Sequence, residues 1–137
     1  MVRPSTNPFV NLLREVDGLM EKKGIPLNPF LIETNGDLSL ASFKKKFLVD
    51  SSSLELIDVR EPSEFKEAHI KGSKLIPMGE IEKRLHEIDW SKEVIFICRS
   101  GGRSGYVTDA LKNAGYAGKS LAGGIQILSM NCSECME

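Results

Sequence analysis

The chain has no long hydrophobic run. Its longest apolar candidate is Val94-Ile95-Phe96-Ile97-Cys98, well short of the roughly 18 consecutive apolar residues that a membrane-spanning helix needs. It also lacks a charge excess. Lys plus Arg total 18 and Asp plus Glu total 19, so no overall basic field draws in nucleic acid or anionic lipid, and charge-driven recognition must be local. Cysteine is scarce: Cys98, Cys132 and Cys135 are an odd number, two of them crowded at the end, which does not read as a disulfide scaffold. The opening stretch from Met1 to Pro8 has no apolar core of a signal peptide, and the chain reads as cytoplasmic. Internal repeats and low-complexity segments are also missing.

What is present is the profile of an ordinary globular domain, with 137 residues of which 41% are hydrophobic and 27% charged. Phe9, Leu12, Leu13, Val16, Leu19 and Met20 recur at helical spacing from Phe9 to Lys22, and Gly24 and Pro26 end the pattern. Core packing is the default for that apolar stripe, with a dimer contact or a docked partner as alternatives. A Pro-, Asn- and Gly-rich connection follows to Asp37. The expected organisation is an N-terminal helical extension over 1–37, a main domain over 38–128 and a tail over 129–137.

Within the main domain strands and helices alternate. Ser39 can cap a helix over Leu40 to Leu48, Leu54 to Val59 suits a buried strand, and Pro62 fits the first turn of a helix from Glu61 to Ala68. A strand is expected over Ser73 to Ile76, a helix from about Gly79 to Ile88, and a strand over Val94 to Ile97. A further helix reaches about Ala114, where Gly115 stops it, Gly118 to Leu121 reads as one more strand, and Gly123-Gly124 opens a last short helix. Such alternation implies a parallel sheet covered by helices on both faces.

The chemistry gathers where the Val94 to Ile97 strand ends. In an open parallel sheet ligands bind beyond the carboxyl ends of the strands, and there the chain reads Cys98-Arg99-Ser100-Gly101-Gly102-Arg103-Ser104. A helix beginning within a few residues turns its unpaired amides and positive dipole end toward the thiol, which favours thiolate, and Arg99 and Arg103 act in the same direction. Gly101 and Gly102 allow the backbone to curl and aim successive N–H groups at one sulfur. A cysteine at a strand end is commonly only a small buried hydrophobe. The ordered combination of strand, cysteine, glycines, arginines and helix start points instead to a nest for a persulfide or an oxyanion.

These residues resemble the rhodanese-like family. Leu56-Ile57-Asp58-Val59-Arg60-Glu61-Pro62-Ser63-Glu64-Phe65 is similar to its first signature, and Ala68-His69-Ile70-Lys71-Gly72-Ser73 to the continuation. Cys98 to Ser104 is similar to the active loop and Ala122-Gly123-Gly124-Ile125 to the closing motif, so the resemblance runs from about Leu38 to about Ile127. It implies an α/β fold with a five-stranded parallel sheet flanked by helices, and no metal or organic cofactor. It also implies a sulfurtransferase in which Cys98 accepts sulfane sulfur from a donor such as thiosulfate and passes it to a thiol or cyanide. A carrier or sensor that serves a protein partner without turnover is the second reading.

Phosphatases and arsenate reductases of the similar fold need Cys-x5-Arg to hold a tetrahedral oxyanion. This loop is Cys-x4-Arg, with Ser104 at the next position, where a hydroxyl cannot replace a bidentate guanidinium. The two arginines favour an anionic donor; in the family, loops for mercaptopyruvate usually carry fewer basic residues. Asp58, Arg60 and His69 are expected to be structural, the first two pinning a strand end and the third bonded to backbone. Cys132 and Cys135 form a Cys-x2-Cys with no second ligand pair for zinc. They read as inert tail thiols, or as a relay that receives sulfur from Cys98 or seals it as a disulfide. Where many family members carry tryptophan after Gly-Gly-Ile, this chain has Gln126-Ile127-Leu128.

Overall fold

Five short strands carry the backbone pairing of the domain: β1 (Asp37–Leu38), β2 (Leu54–Asp58), β3 (Lys74–Leu75), β4 (Glu93–Ile97) and β5 (Lys119–Leu121). The computed structural model describes residues 36–137; the predicted helix from Phe9 to Lys22 and most of the connection after it lie outside these. The strands form one sheet in the order β1-β5-β4-β2-β3, and every pairing is parallel. The central pair, β2 with β4, runs in register from Leu54 opposite Glu93 to Asp58 opposite Ile97.

Side-chain alternation along β4 separates two cores, because successive residues of a strand point to opposite faces. Val94, Phe96 and Cys98 join one cluster with Ile57 and Val59, covered by Val107, Ala110 and Leu111 of helix α3 (Gly102–Asn113). Ile95 and Ile97 join the other. Leu40, Phe43 and Phe47 of α1 (Leu40–Asp50) cover it, with Ile125 and Leu128 of α4 (Gly124–Asn131). Helices therefore cover both faces, as the alternation predicts. The cap of α1 is also the expected one, with Ser39 Oγ accepting the Ser42 N–H at 3.1 Å. Helix α2 (Pro62–Glu67) starts at Pro62 behind a Glu61 to Glu64 capping box.

The order of the strands creates the site. From β2 the chain moves to β3 on one side, whereas from β4 it moves to β5 on the other, so the crevice at the carboxyl ends of β2 and β4 is the topological switch point. Val59 N–H donating to the Ile97 carbonyl at 2.8 Å continues the pairing into that crevice.

Three expectations need correction. The helix predicted from Gly79 to Ile88 is a pair of 3₁₀ segments, Met78–Glu80 and Glu82–Glu87, kinked at Arg84 (φ -121°, ψ 19°). Tight turns suffice to bury Ile81 and Ile88, and Arg84 at the kink pairs with both Glu80 and Glu87. The end of the predicted connection is strand β1, whose two residues pair with Ser120 and Leu121. Nor is the tail loose. After α4 a 3₁₀ turn spans Ser133–Cys135, Cys132 and Cys135 are joined to each other as a disulfide, and both are buried on the face opposite Cys98. With the sheet between them, neither is placed to take sulfur from Cys98 or to seal it. Among the described residues no helix is long and apolar enough to cross a membrane.

Candidate active site

Cys98 is the first residue beyond β4 and is the one unpaired cysteine. Two donors reach its sulfur: the Gly101 N–H at 3.0 Å and the Ser104 hydroxyl at 3.4 Å. Gly101 can turn its amide back because it occupies the left-handed region, φ 101°, where a side chain would be strained. It is also the N-cap residue of α3, and its carbonyl accepts the Gly105 N–H at 3.0 Å. The expectation that both glycines curl the loop is corrected here. Gly102 already belongs to α3, and ordinary helical angles suffice for it. The ring of several amides reduces to one amide and one hydroxyl on the sulfur.

Ser104 sits behind Cys98 and is fully buried. Its hydroxyl lies 2.7 Å from that of Ser120 on β5 and 3.3 Å from the Gly101 carbonyl. A buried polar cluster thus backs the sulfur, and Cys98 itself is only 1% exposed. Ser120 escaped the sequence reading; its one signal is a hydroxyl in an otherwise apolar Leu121-Ala122 strand end.

The loop is held from the other side by α4. The Ile125 N–H donates to the Cys98 carbonyl at 3.0 Å and the Gln126 N–H to the Arg99 carbonyl at 2.9 Å. Two orphan amides of a helix start thereby hold two carbonyls of the loop. This approach is open only to glycine at 124, whose φ is +61° and where a Cβ would overlap the carbonyl oxygens of both Cys98 and Arg99.

Arg103 is engaged by a carboxylate. Its guanidinium makes a two-pronged ion pair with Glu64 of α2, at 3.0 and 3.1 Å. The Arg103 hydrogen bond holds the Glu64 carboxyl below its ordinary range, against a smaller opposing effect of burial. Glu64 reciprocally raises Arg103. Arg99 and Ser100 are exposed at the rim; among the described residues no side chain partners the Arg99 guanidinium.

Asp58 and Arg60 form a buried pair below the crevice. Arg60 Nε donates to Asp58 Oδ1 at 2.9 Å, Nη2 donates to Oδ2 at 2.8 Å, and Nη2 also reaches the Ala68 carbonyl at 2.6 Å. The pair ties the end of β2 to the segment after α2. His69 stacks on Phe65 with ring centroids 3.8 Å apart. Its Nδ1 lies 2.8 Å from the Phe65 carbonyl; a carbonyl only accepts, so Nδ1 carries the proton. The other nitrogen faces Glu137 Oε2 at 3.1 Å. None of these three residues has a contact to Cys98.

A central-strand cysteine in a glycine-hinged loop, on a five-stranded parallel sheet, is the arrangement of a rhodanese-like domain. The model of that family, described as "Rhodanese-like domain", matches residues 40–129, and the chain belongs to it. Among curated proteins, the chain is 44% identical over 81 residues to the putative sulfur carrier protein YrkF of Bacillus subtilis. That alignment takes in 58% of this chain and 43% of the relative, so the chain spans less than half of YrkF. It is 39% identical over 89 residues to the putative sulfurtransferase YtwF of the same organism, covering 65% of this chain and 85% of the relative. A solved rhodanese-related protein from Thermoplasma volcanium superposes with a TM-score of 0.63 at 25% identity, over 71% of this chain and 93% of that one.

Two outcomes are expected. Gly124→Ala should lose both loop-to-helix hydrogen bonds and, at about 0.5–1.5 kcal/mol each plus backbone strain, lower the urea midpoint; an unchanged midpoint is incompatible with the α4 contact. For the Glu64–Arg103 pair, the folded carboxyl ionises below its unfolded value. Its stabilisation is therefore complete above an unfolded glutamate value of about 4.3 and drains as pH falls through the lower folded value. The urea-midpoint difference between wild type and Glu64→Gln should be largest above that range and shrink in acid.

Proposed function

We propose that the protein is a sulfurtransferase that carries sulfane sulfur as a persulfide on Cys98. The observation that carries this reading is the sulfur at the topological switch point, fed by the Gly101 amide and the Ser104 hydroxyl. Both donors suit a sulfur that bears negative charge before and after transfer. Similarity to proteins named sulfurtransferase and sulfur carrier supports it.

With thiosulfate, the Cys98 thiolate attacks the outer sulfur. The new bond joins the two sulfurs, the thiosulfate sulfur–sulfur bond breaks, and its electron pair leaves with sulfite. In the second half a nucleophile, a thiolate or cyanide, takes the outer sulfur, and the electron pair of the Cys98 disulfide-like bond returns to Cys98 as thiolate. Charge and atoms balance in both halves without a metal or an organic cofactor. An anionic donor fits because Arg99 is the exposed loop cation, Arg103 being engaged by Glu64. That same engagement, with Cys-x4-Arg spacing, speaks against phosphate chemistry: the guanidinium a tetrahedral oxyanion needs is already paired with Glu64. Asp58, Arg60 and His69 act as supports in this scheme and exchange no proton with sulfur.

A second reading is a sulfur carrier that delivers to a protein acceptor. The sequence similarity to YrkF favours it, and both readings share the Cys98 persulfide.

Intact-mass measurement after thiosulfate treatment should show a gain of one sulfur in the wild type and none in Cys98→Ser. Arg99→Gln should raise the KM for thiosulfate several-fold at low salt and show a weaker salt dependence. A wild type that gains no sulfur from thiosulfate or other persulfide donors defeats both readings. Loading without turnover on cyanide or small thiols selects the carrier.

A further inference from the structure

The family match ends at residue 129, yet residues beyond it are tied into the domain. Met136 bridges Ile70 in antiparallel fashion. The Lys71 N–H donates to the Cys135 carbonyl at 2.8 Å, the Glu137 N–H to the His69 carbonyl at 2.8 Å, and the His69 N–H to the Glu137 carbonyl at 3.3 Å. The His69 ring adds its contact to Glu137 Oε2 at 3.1 Å. The Cys132–Cys135 disulfide closes the turn from which these contacts depart.

The segment so gripped leads to the loop. His69 stacks on Phe65 and donates from Nδ1 to its carbonyl, and Phe65 is in α2 next to Glu64, which grips Arg103 one turn beyond Cys98. Arg60 binds the same segment at the Ala68 carbonyl. From the disulfide to the active loop the path runs through direct contacts or adjacent residues at every step: turn, tail, His69, α2, Glu64, Arg103.

We propose that Cys132 and Cys135 are a redox site whose disulfide latches the tail onto residues 69–71 and thereby steadies the Glu64–Arg103 contact at the sulfur loop. This rests on the sulfur-transfer reading of Cys98. The reactant is a dithiol reductant. When the chain end opens locally and exposes the otherwise buried pair, one thiolate of the reductant attacks a latch sulfur and breaks the Cys132–Cys135 bond, and its second thiol resolves the mixed disulfide. Two cysteine thiols and an oxidised dithiol result, with two electrons and two protons moved. Only four residues lie in the closed ring, so the crosslink restrains little of the unfolded chain. Its effect is on the shape of the turn, which aims the Cys135 carbonyl at Lys71. Reduction therefore loosens the tail while the sheet stays folded, since chain ends open locally at small cost.

The full chain is compared in its disulfide and dithiothreitol-reduced forms, the reductant being removed anaerobically before each measurement. Amide hydrogen exchange in a Cys98→Ser background reads the latch: Lys71 and Glu137 should exchange about tenfold faster or more on reduction, with β4 amides unchanged. In wild type, the rate of sulfur gain at Cys98 from thiosulfate, located by peptide mass, should fall several-fold on reduction, and Glu64→Gln in the oxidised protein should fall likewise. Cys135→Ala provides the open latch without reductant; if it fails to fold, the reduced wild type still decides. Unchanged exchange at Lys71 and Glu137 overturns the latch, and a loosened tail with an unchanged loading rate overturns its link to the loop. If even the oxidised form gains no sulfur, the sulfur-transfer reading has failed and with it the link, whereas the exchange result still judges the latch.

Discussion

The close approach of α4 to the loop after β4 is the constraint on which the site depends. A strand that ends in a tight turn leaves carbonyls without partners, and a buried unpaired carbonyl is costly. Here the Cys98 and Arg99 carbonyls are met by the Ile125 and Gln126 amides, groups that a helix start would otherwise leave unsatisfied. Two deficits cancel. With those carbonyls held outward, the loop has its amide at Gly101 available for the sulfur, and α3 can begin at once.

The electrostatics follow from the same arrangement. The groups on the sulfur are a backbone amide and a buried hydroxyl, both fixed by packing rather than carried on long flexible side chains. Fixed dipoles need little rearrangement as charge moves between two sulfur atoms, which is the condition under which they favour transfer. The guanidinium charges of Arg103 and Arg60 are each held by a carboxylate. Arg103 is neutralised by Glu64, and Arg60 by Asp58 in a pair that is nearly sealed from solvent. Removing one member of that sealed pair would leave the other buried and uncompensated, the costly way to break it.

Much of this was legible in the residues because it is local. An apolar run followed by Cys-x2-Gly-Gly marks β4, the loop and α3, and Ser39 and Pro62 mark two helix starts by mechanisms confined to one turn. The pairing of Glu64 with Arg103 spans 39 residues and has no periodic signature, so the tie of this loop arginine to α2 is not legible in the residues. Strand β1 is too short to show alternation, and its existence depends on β5 lying beside it. Ser120 looks like a weak break in a strand until Ser104 is brought to it. The tail is opaque for the same reason: two cysteines near a chain end carry no sign of the segment around Ile70 onto which Cys135 and Met136 dock.

Because side chains alternate along β4, Cys98 and the Cys132–Cys135 bond are packed in different cores, with the sheet as a bulkhead between them. Exchange between sulfurs requires direct collision along the bond being broken, and a folded sheet forbids that meeting. One small domain can therefore hold a reactive thiol and a sulfur–sulfur crosslink without their scrambling.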